Sequence, residues 1–281
     1  MLLRAVFGPV LVPRRDFVDY VWNRVPVVNP RRYLGWGGHG GSRPILLETV
    51  DGRIVHVKLQ HNPQSTRSLI NDWVGTLLAS ALGVPVPEVV LVALDRSHLD
   101  DIPILTRLRW YPGWQFGTWF LANARKFSAD TPLTRLTNWS DLPLLALYEL
   151  WVYNNDVKFS HLLWTPEPVP RFLMADHGFI FPGGPDWTPA ILTRQKDTVP
   201  SIGPLTALAR SVPLPFRFDE ALTTLGAVTE DDLLSLMASV PRGWGFSGTD
   251  QKAAARFLVN RQPRLSAWAR RLQRVWNSKT V

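Results

Sequence analysis

The stretch over residues 148–181 constrains this chain more than any other. An apolar helical run over 142–151, opened by Asp141-Leu142-Pro143, ends in the polar knot Asn154-Asn155-Asp156. Five residues later His161 precedes the apolar Leu162-Leu163-Trp164. A Pro-rich turn over 165–170 follows, and Phe172-Leu173-Met174-Ala175 then reads as a short strand that stops at Asp176, with His177-Gly178 after it. Two buried-looking elements joined by a hairpin bring the polar residues at their ends together, so Asp156, His161 and Asp176 are expected to cluster. Phosphoryl transfer uses such a cluster: one carboxylate orients or deprotonates the acceptor hydroxyl, and a second, with another ligand, holds magnesium against the phosphates. The same residues have a purely structural use, Asp156 as a helix cap and Asp176 as the start of a turn.

Upstream, residues 35–42 hold Gly35, Gly37, Gly38, Gly40 and Gly41, with Ser42 closing the stretch. Glycines let a backbone approach a ligand closely and aim its N–H groups at phosphate oxygens, although the stretch is neither a Walker A motif nor a Gly-x-Gly-x-x-Gly fingerprint. Short strands are expected over 45–49 and 54–59, joined at Asp51-Gly52. The glycine loop then precedes this hairpin and does not form its tip. Alternation in the second strand puts His56 and Lys58 on one face and Val55, Val57 and Leu59 on the other. Leu69, Ile70, Trp73, Val74, Leu77, Leu78, Ala81 and Leu82 recur at helical spacing over 64–82, with Ser65 or Thr66 as cap and Gly83 as terminator. Strands are expected at 89–94 and 102–108, and from Trp119 onward the pattern turns helical.

These motifs resemble the HipA-like kinases, an atypical bacterial branch of the protein-kinase-like fold. The family pattern is roughly Asn-x-Asp-Arg-x-x-x-Asn-Leu-Leu followed by Asp-His-Gly-x-x-Phe. Here the chain reads Asn154-Asn155-Asp156-Val157-Lys158-Phe159-Ser160-His161-Leu162-Leu163, then Asp176-His177-Gly178-Phe179-Ile180-Phe181. Asn71-Asp72-Trp73 with Leu82-Gly83-Val84-Pro85-Val86-Pro87 extends the resemblance, which covers about residues 35–182. It implies an α+β, two-lobed fold: a small antiparallel-sheet N-lobe with one helix over 1–112, and a mostly helical C-lobe over 113–281. It also implies an ATP-dependent kinase acting on a hydroxyl acceptor, with a protein Ser or Thr favoured over a small molecule. Lys58 would contact the α/β phosphates, with Asp72 orienting it. Gly38, Gly40, Gly41 and Ser42 would cover the phosphates. Residues 113–118, with glycines at both ends, would join the lobes, and Gln115 and Phe116 would hold the adenine. Asp156 would serve as catalytic base, Lys158 beside it would make good a missing charge, and Asp176 and His161 would hold Mg²⁺, or Mn²⁺ in its place.

Three positions depart from the family. Val157 stands for the usual Arg and Asp72 for the usual Glu, one methylene shorter. His161 stands for the metal-binding Asn, and imidazole suits softer ions than magnesium. A degenerate kinase that keeps nucleotide binding is therefore the alternative reading.

Charge supplies a further reading. The formal net charge is +8, and residues 251–281 carry Lys252, Arg256, Arg261, Arg264, Arg270, Arg271, Arg274 and Lys279 with no acidic residue. A basic terminal helix is either a solvated face or a surface for nucleic acid or an acidic, antitoxin-like partner. Helices are expected at 218–225, 230–238, 252–259 and 263–278. In the last, Leu265, Trp268, Leu272, Val275 and Trp276 form an apolar stripe opposite Arg270, Arg271 and Arg274. The thirteen tryptophans fit core packing better than base stacking. Cysteine is absent, no run long enough to span a membrane occurs, and Arg4 and Pro9 interrupt the opening residues as they would not in a signal peptide. A cytoplasmic protein without membrane contact is expected.

Overall fold

Alternating valines and leucines build the first half of the molecule. The computed structural model describes residues 25–278 except 39 and 129, so the edge strand expected within 6–12 lies outside the described residues. Strands β1 (Val27–Val28), β2 (Pro30–Trp36), β3 (Ile45–Thr49), β4 (Ile54–Lys58), β5 (Val89–Leu94) and β6 (Gly113–Trp119) form one sheet in the order β1-β5-β6-β4-β3-β2. All neighbours are antiparallel except β1 with β5. Helix α1 (Thr66–Ala81) connects β4 to β5. The expected strands at 45–49 and 89–94, and the helix within 64–82, form at those positions.

Strand β2 changes the place of the glycine loop. Because β2 pairs with β3, the loop over 37–44 is the tip of a hairpin, not a segment preceding one. The strand is hard to read from its residues: it opens on Pro30, and register shifts fall between Pro30 and Arg32 and between Tyr33 and Gly35. Both are edge-strand features.

Two further expectations are corrected. Residues 102–108 do not pair as a strand. Pro103–Arg107 is a 3-10 turn, with Leu105 N–H donating to Ile102 O at 3.0 Å. It lays Ile102 and Leu105 over Val90, Val92, Val55 and Val57 on one face of the sheet. Residues 113–118 are not an inter-lobe joint either. They lie in β6, hydrogen-bonded to β4 on one side and β5 on the other.

Nor does a helix begin at Trp119. The chain leaves the large sheet there and enters β7 (Arg125–Lys126), which joins β8 (Leu162–Thr165) and β9 (Arg171–Met174) in a three-stranded sheet of order β7-β8-β9. The segment 120–124 is thus the link between the two sheets. Between β7 and β8 runs α2 (Leu142–Trp151). It is so apolar that nine of its residues are buried, and it is the central helix of the second half.

The remainder is helical: α3 (Pro189–Arg194), α4 (Gly203–Arg210), α5 (Asp219–Gly226), α6 (Glu230–Ala238), α7 (Gly248–Arg261) and α8 (Leu265–Asn277). Helices α3 and α4 fall where no regular structure was expected after Phe181. The large core runs from α1 through α2 to α8, and Trp73, Trp151 and Trp187 are among its fully buried side chains. The stripe on α8 packs as expected: Leu265, Trp268, Leu272 and Trp276 are buried, while Arg270, Arg271 and Arg274 face solvent. No helix is long and apolar enough to cross a membrane among the described residues.

Candidate active site

The sheet and the helical half meet at Lys58. Its Nζ donates to Asp72 Oδ2 at 2.8 Å and to Asp176 Oδ1 at 2.9 Å. Asp72 is the short acid at the position where the family has Glu, and α1 compensates by close approach to β4 and to the 176–180 segment. Asn71 Nδ2 donates to Gly178 O at 2.9 Å, Asn71 Oδ1 accepts from Trp187 Nε1 at 3.0 Å, and Asp72 Oδ1 accepts from His177 N–H at 3.0 Å. Two glycines make the approach possible. A Cβ on Gly75 would lie 2.6 Å from His177 Cβ, and one on Gly178 would lie 3.2 Å from carboxylate oxygens of both Asp72 and Asp176.

His177 is the buried clasp of this region. Its ring faces Thr76 Oγ1 of α1 at 3.2 Å through Nδ1 and Glu149 Oε1 of α2 at 3.1 Å through Nε2. The Asn154-Asn155-Asp156 knot is zipped to the same segment. Asn155 N–H donates to Phe179 O, Asn155 Nδ2 to Phe181 O at 2.8 Å, and Phe181 N–H to Val152 O. Asn154 Oδ1 accepts from Asp156 N–H at 3.0 Å and so shapes the loop that presents Asp156.

Asp156, His161 and Asp176 do converge. His161 Nε2 lies 3.9 Å from Asp156 Oδ2 and 4.0 Å from Asp176 Oδ2. Those separations are too long for hydrogen bonds. Asp156 Oδ1 is taken by Lys158, and Asp176 Oδ1 by Lys58 and the Gly178 N–H, so each carboxylate keeps its Oδ2 toward the gap. Asp176 sits at φ 78°, a left-handed conformation that a non-glycine residue holds at a cost. No cluster of three or more His, Cys, Asp or Glu meets the geometry of a ready-made metal cage among the described residues. Two open carboxylate oxygens still fit a magnesium-like ion, which uses one or two carboxylates and completes its shell with water and substrate phosphates.

Electrostatics separates the two acids that share Lys58. Burial pushes the Asp72 carboxyl up to about 6, and Lys58 offsets only part of that. For Asp176 burial also works against ionisation, but Lys58 and His161 outweigh it and hold the group well below the usual carboxylate range. Burial disfavours the Lys58 cation, yet Asp176 and Asp72 more than restore it and raise its pKa. At neutral pH the centre therefore holds one fixed ammonium, the firmly ionised and more open Asp176, and an Asp72 carboxylate that takes up its proton near pH 6.

The glycine loop folds over β4. The carbonyl of Gly37 lies 3.2 Å from His56 Nε2, on the strand face that also carries Lys58. Gly38, Gly40 and Gly41 form the turn of the hairpin with Ser42, whose side chain is buried. Gln115 and Phe116 do not join this cluster as open groups. Gln115 is fully buried, accepts from Gln60 N–H at 2.7 Å and donates to Tyr111 O at 2.8 Å; Phe116 is buried opposite Lys58 in the β4–β6 pairing.

Arg261 was grouped with the basic surface of the C-terminal segment, and the structure reverses that. It is fully buried and donates to Leu150 O, Trp151 O, Lys196 O and Thr198 O. Its charge thus caps the C-terminal end of α2, three residues before the Asn154-Asn155-Asp156 loop. Only the packing of α7 against α2 separates this arginine from its exposed neighbours in sequence.

A sequence profile described as "HipA-like kinase" matches residues 36–177. No curated protein matches the chain. Among solved structures, the Golgi casein kinase with Mn/ADP bound superposes with a TM-score of 0.52 at 11% identity, over 94% of this chain and 77% of that one. The Helicobacter pylori proinflammatory kinase CtkA gives 0.46 at 12% identity, over 91% and 100%. HipA from the HipA, HipB and operator DNA complex of Shewanella oneidensis MR-1 gives 0.39 at 10%, over 81% and 61%. The profile spans the glycine loop, the strand lysine, the Asn154-Asn155-Asp156 knot and Asp176-His177, the same elements that fold into one site, and on that ground the chain belongs to the HipA-like kinase family.

Proposed function

We propose that this chain is an ATP-dependent kinase that transfers the γ-phosphoryl group to a hydroxyl, favouring a protein Ser or Thr. Lys58 binds the α/β phosphates, held in place by Asp72. Asp156 accepts the proton of the acceptor hydroxyl as its oxygen forms the new bond to phosphorus, and the bond to ADP breaks. Asp176 holds a divalent ion and His161 occupies the second ligand position. The bound metal supplies neutralisation of phosphate charge. Lys158, paired with Asp156, supplies the cation that Val157 does not, and Gly38, Gly40, Gly41 and Ser42 cover the phosphates. The observation that carries this reading is the placement of the Lys58 ammonium 2.9 Å from Asp176, with Asp156 just across His161.

Thermal denaturation with ATP plus Mg²⁺ or Mn²⁺ tests it. Stabilisation in the parent, lost in Lys58→Ala and in Asp176→Ala, supports the cleft; no shift with either metal refutes it. A second reading has an observation of its own: His161 replaces an amide, and its Nδ1 is buried without a hydrogen-bond partner. Under that reading the protein binds nucleotide without transferring phosphate. Labelled ATP incubated with a cell lysate separates the two, because a pseudokinase shows the thermal shift and labels nothing.

A further inference from the structure

A second concavity lies at the same end of the sheet as Lys58, outside the cluster described above. Strand β3 starts, β4 ends and β6 starts at this end, as the pairings of Ile45 with Val57 and of Lys58 with Phe116 require. The glycine loop, the β4–α1 connection and the segment before β6 therefore converge there. They line an open concavity of about 920 Å³, to which Pro185 of the helical half also contributes.

Its lining is basic. Arg43 comes from the glycine loop, Arg67 from the first turn of α1, and Arg107 and Arg109 from the segment before β6; among the described residues no Asp or Glu lines it. Arg43, Arg107 and Arg109 are exposed and have no acidic partner among the described residues. Arg67 lies over the Trp187 ring at 4.4 Å and reaches Asp250 at 3.4 Å through Nη2, while its Nη1 is buried and unpartnered. Helix α1 begins here with no side-chain cap and no acidic residue in its first turn, so its free N–H groups add to the positive field.

The backbone is strained at the same place. Six non-glycine residues have positive φ among the described residues; Tyr153, Asp176 and Phe181 flank the catalytic loop segments, and Arg43, His61 and Ser65 all line this cavity. Strained conformations persist where function requires them. Uncompensated arginines around a concave site are also what recognition of carboxylate or phosphate groups needs.

We propose that this cavity receives an acidic stretch of the protein acceptor, bearing carboxylates or phosphate, beside the hydroxyl to be phosphorylated. The assignment rests on the kinase reading for its purpose, but the binding it requires does not. The shared wall explains the placement: Ser42 and Arg43 belong to the loop over the phosphates, and Leu59 follows the phosphate-binding lysine, so a segment held here has its neighbouring hydroxyl at the cleft.

Fluorescence anisotropy on the full chain at physiological salt tests it, with a labelled peptide of alternating Glu and Ser, its Lys and Ser counterpart, and a single-stranded RNA of similar length. The acidic peptide is expected to bind and the basic one not to. Arg107→Glu with Arg109→Glu should weaken the acidic peptide by at least about tenfold, since like charges then face it. Arg270→Glu with Arg271→Glu on the exposed face of α8 should leave it unchanged, as should the ATP-induced thermal shift in both double variants. Should the charge reversal unfold the protein, Arg43→Gln with Arg109→Gln provides the neutral version. Equal loss in both double variants, loss only in the α8 variant, absence of acidic-peptide binding, or cavity-dependent binding of RNA in preference to peptide would each overturn the assignment. Failure of the ATP shift with peptide binding intact would refute the kinase reading and leave the cavity standing.

Discussion

Replacing Lys58 by Met removes one buried charge and leaves two carboxylates facing each other. The stem volume is nearly conserved, so the loss is electrostatic. Lys58 Nζ lies 2.8 Å from Asp72 and 2.9 Å from Asp176, and the Asp72 side chain is 1% exposed. Breaking a buried pair of this kind costs about 3–5 kcal/mol. Protonation of Asp72 relieves part of that cost. Its folded-state pKa of about 6 already exceeds the unfolded value of 3.8, so in this range the folded state binds more protons and the group's contribution to stability rises as pH falls. Without Lys58 that pKa climbs further. The variant therefore begins to recover stability at a higher pH than the parent. Its deficit should be about 3–5 kcal/mol near pH 8 and narrow by about 1–2 kcal/mol near pH 6, at roughly 1.4 kcal/mol per unit. Urea unfolding at both pH values reads this directly. Adding Asp72→Asn to Lys58→Met should then restore about 2 kcal/mol, because the repulsion is removed at its source. A deficit independent of pH, or single-variant effects that add within about 0.5 kcal/mol, would refute the shared-lysine account.

Three further outcomes are expected. His161→Asn places an amide oxygen at the gap between Asp156 and Asp176, and should shift the metal dependence of ATP-induced stabilisation from Mn²⁺ toward Mg²⁺; an unchanged metal preference would remove His161 from the metal site. Arg261→Lys keeps the charge but not the fork to four carbonyls and should cost about 2–3 kcal/mol, whereas Arg261→Met should cost about 3–5 kcal/mol; near-neutral effects in chemical unfolding would contradict its role as the buried cap of α2. His56 is held neutral by burial, with Lys58 adding to the effect, and its pKa falls to about 4. The unfolded chain takes up this proton first, so the stability His56 contributes is lost as pH falls from about 6.5 to 4. His56→Gln should flatten that part of the pH–stability curve by at most about 3 kcal/mol, and a curve parallel to the parent's would show that His56 does not titrate there.

Elements with strong local patterns were legible in the sequence. Alternation located β4, the apolar run after Val84-Pro85-Val86-Pro87 located β5, helical spacing located α1 and α8, and the apolar run before Asn154 located α2. Asp156, His161 and Asp176 were expected together from the elements they end, Lys58 and Asp72 were named from the resemblance to the HipA-like kinases, and the fold places all five around one centre. The tip position of the glycine loop was not legible. It depends on β2, whose proline start and bulges hide a strand that only pairing with β3 reveals. Gly113 and Gly117 looked like hinge residues, yet both belong to a strand hydrogen-bonded on either side.

The residues by themselves determined the strongly patterned elements β4, α1, α2 and α8, because periodicity is a local property. Tertiary structure decided what depends on distant neighbours. It brought Asp72 close enough to Lys58 to make good a missing methylene, through the contacts of Asn71 and Gly178. It buried Arg261 under α2 while Arg270 and Arg271 stayed in solvent. It also gathered Arg43, Arg67, Arg107 and Arg109, far apart in the chain, around one cavity. Burial and Coulomb energies depend on separation in space, and only the folded chain sets that separation.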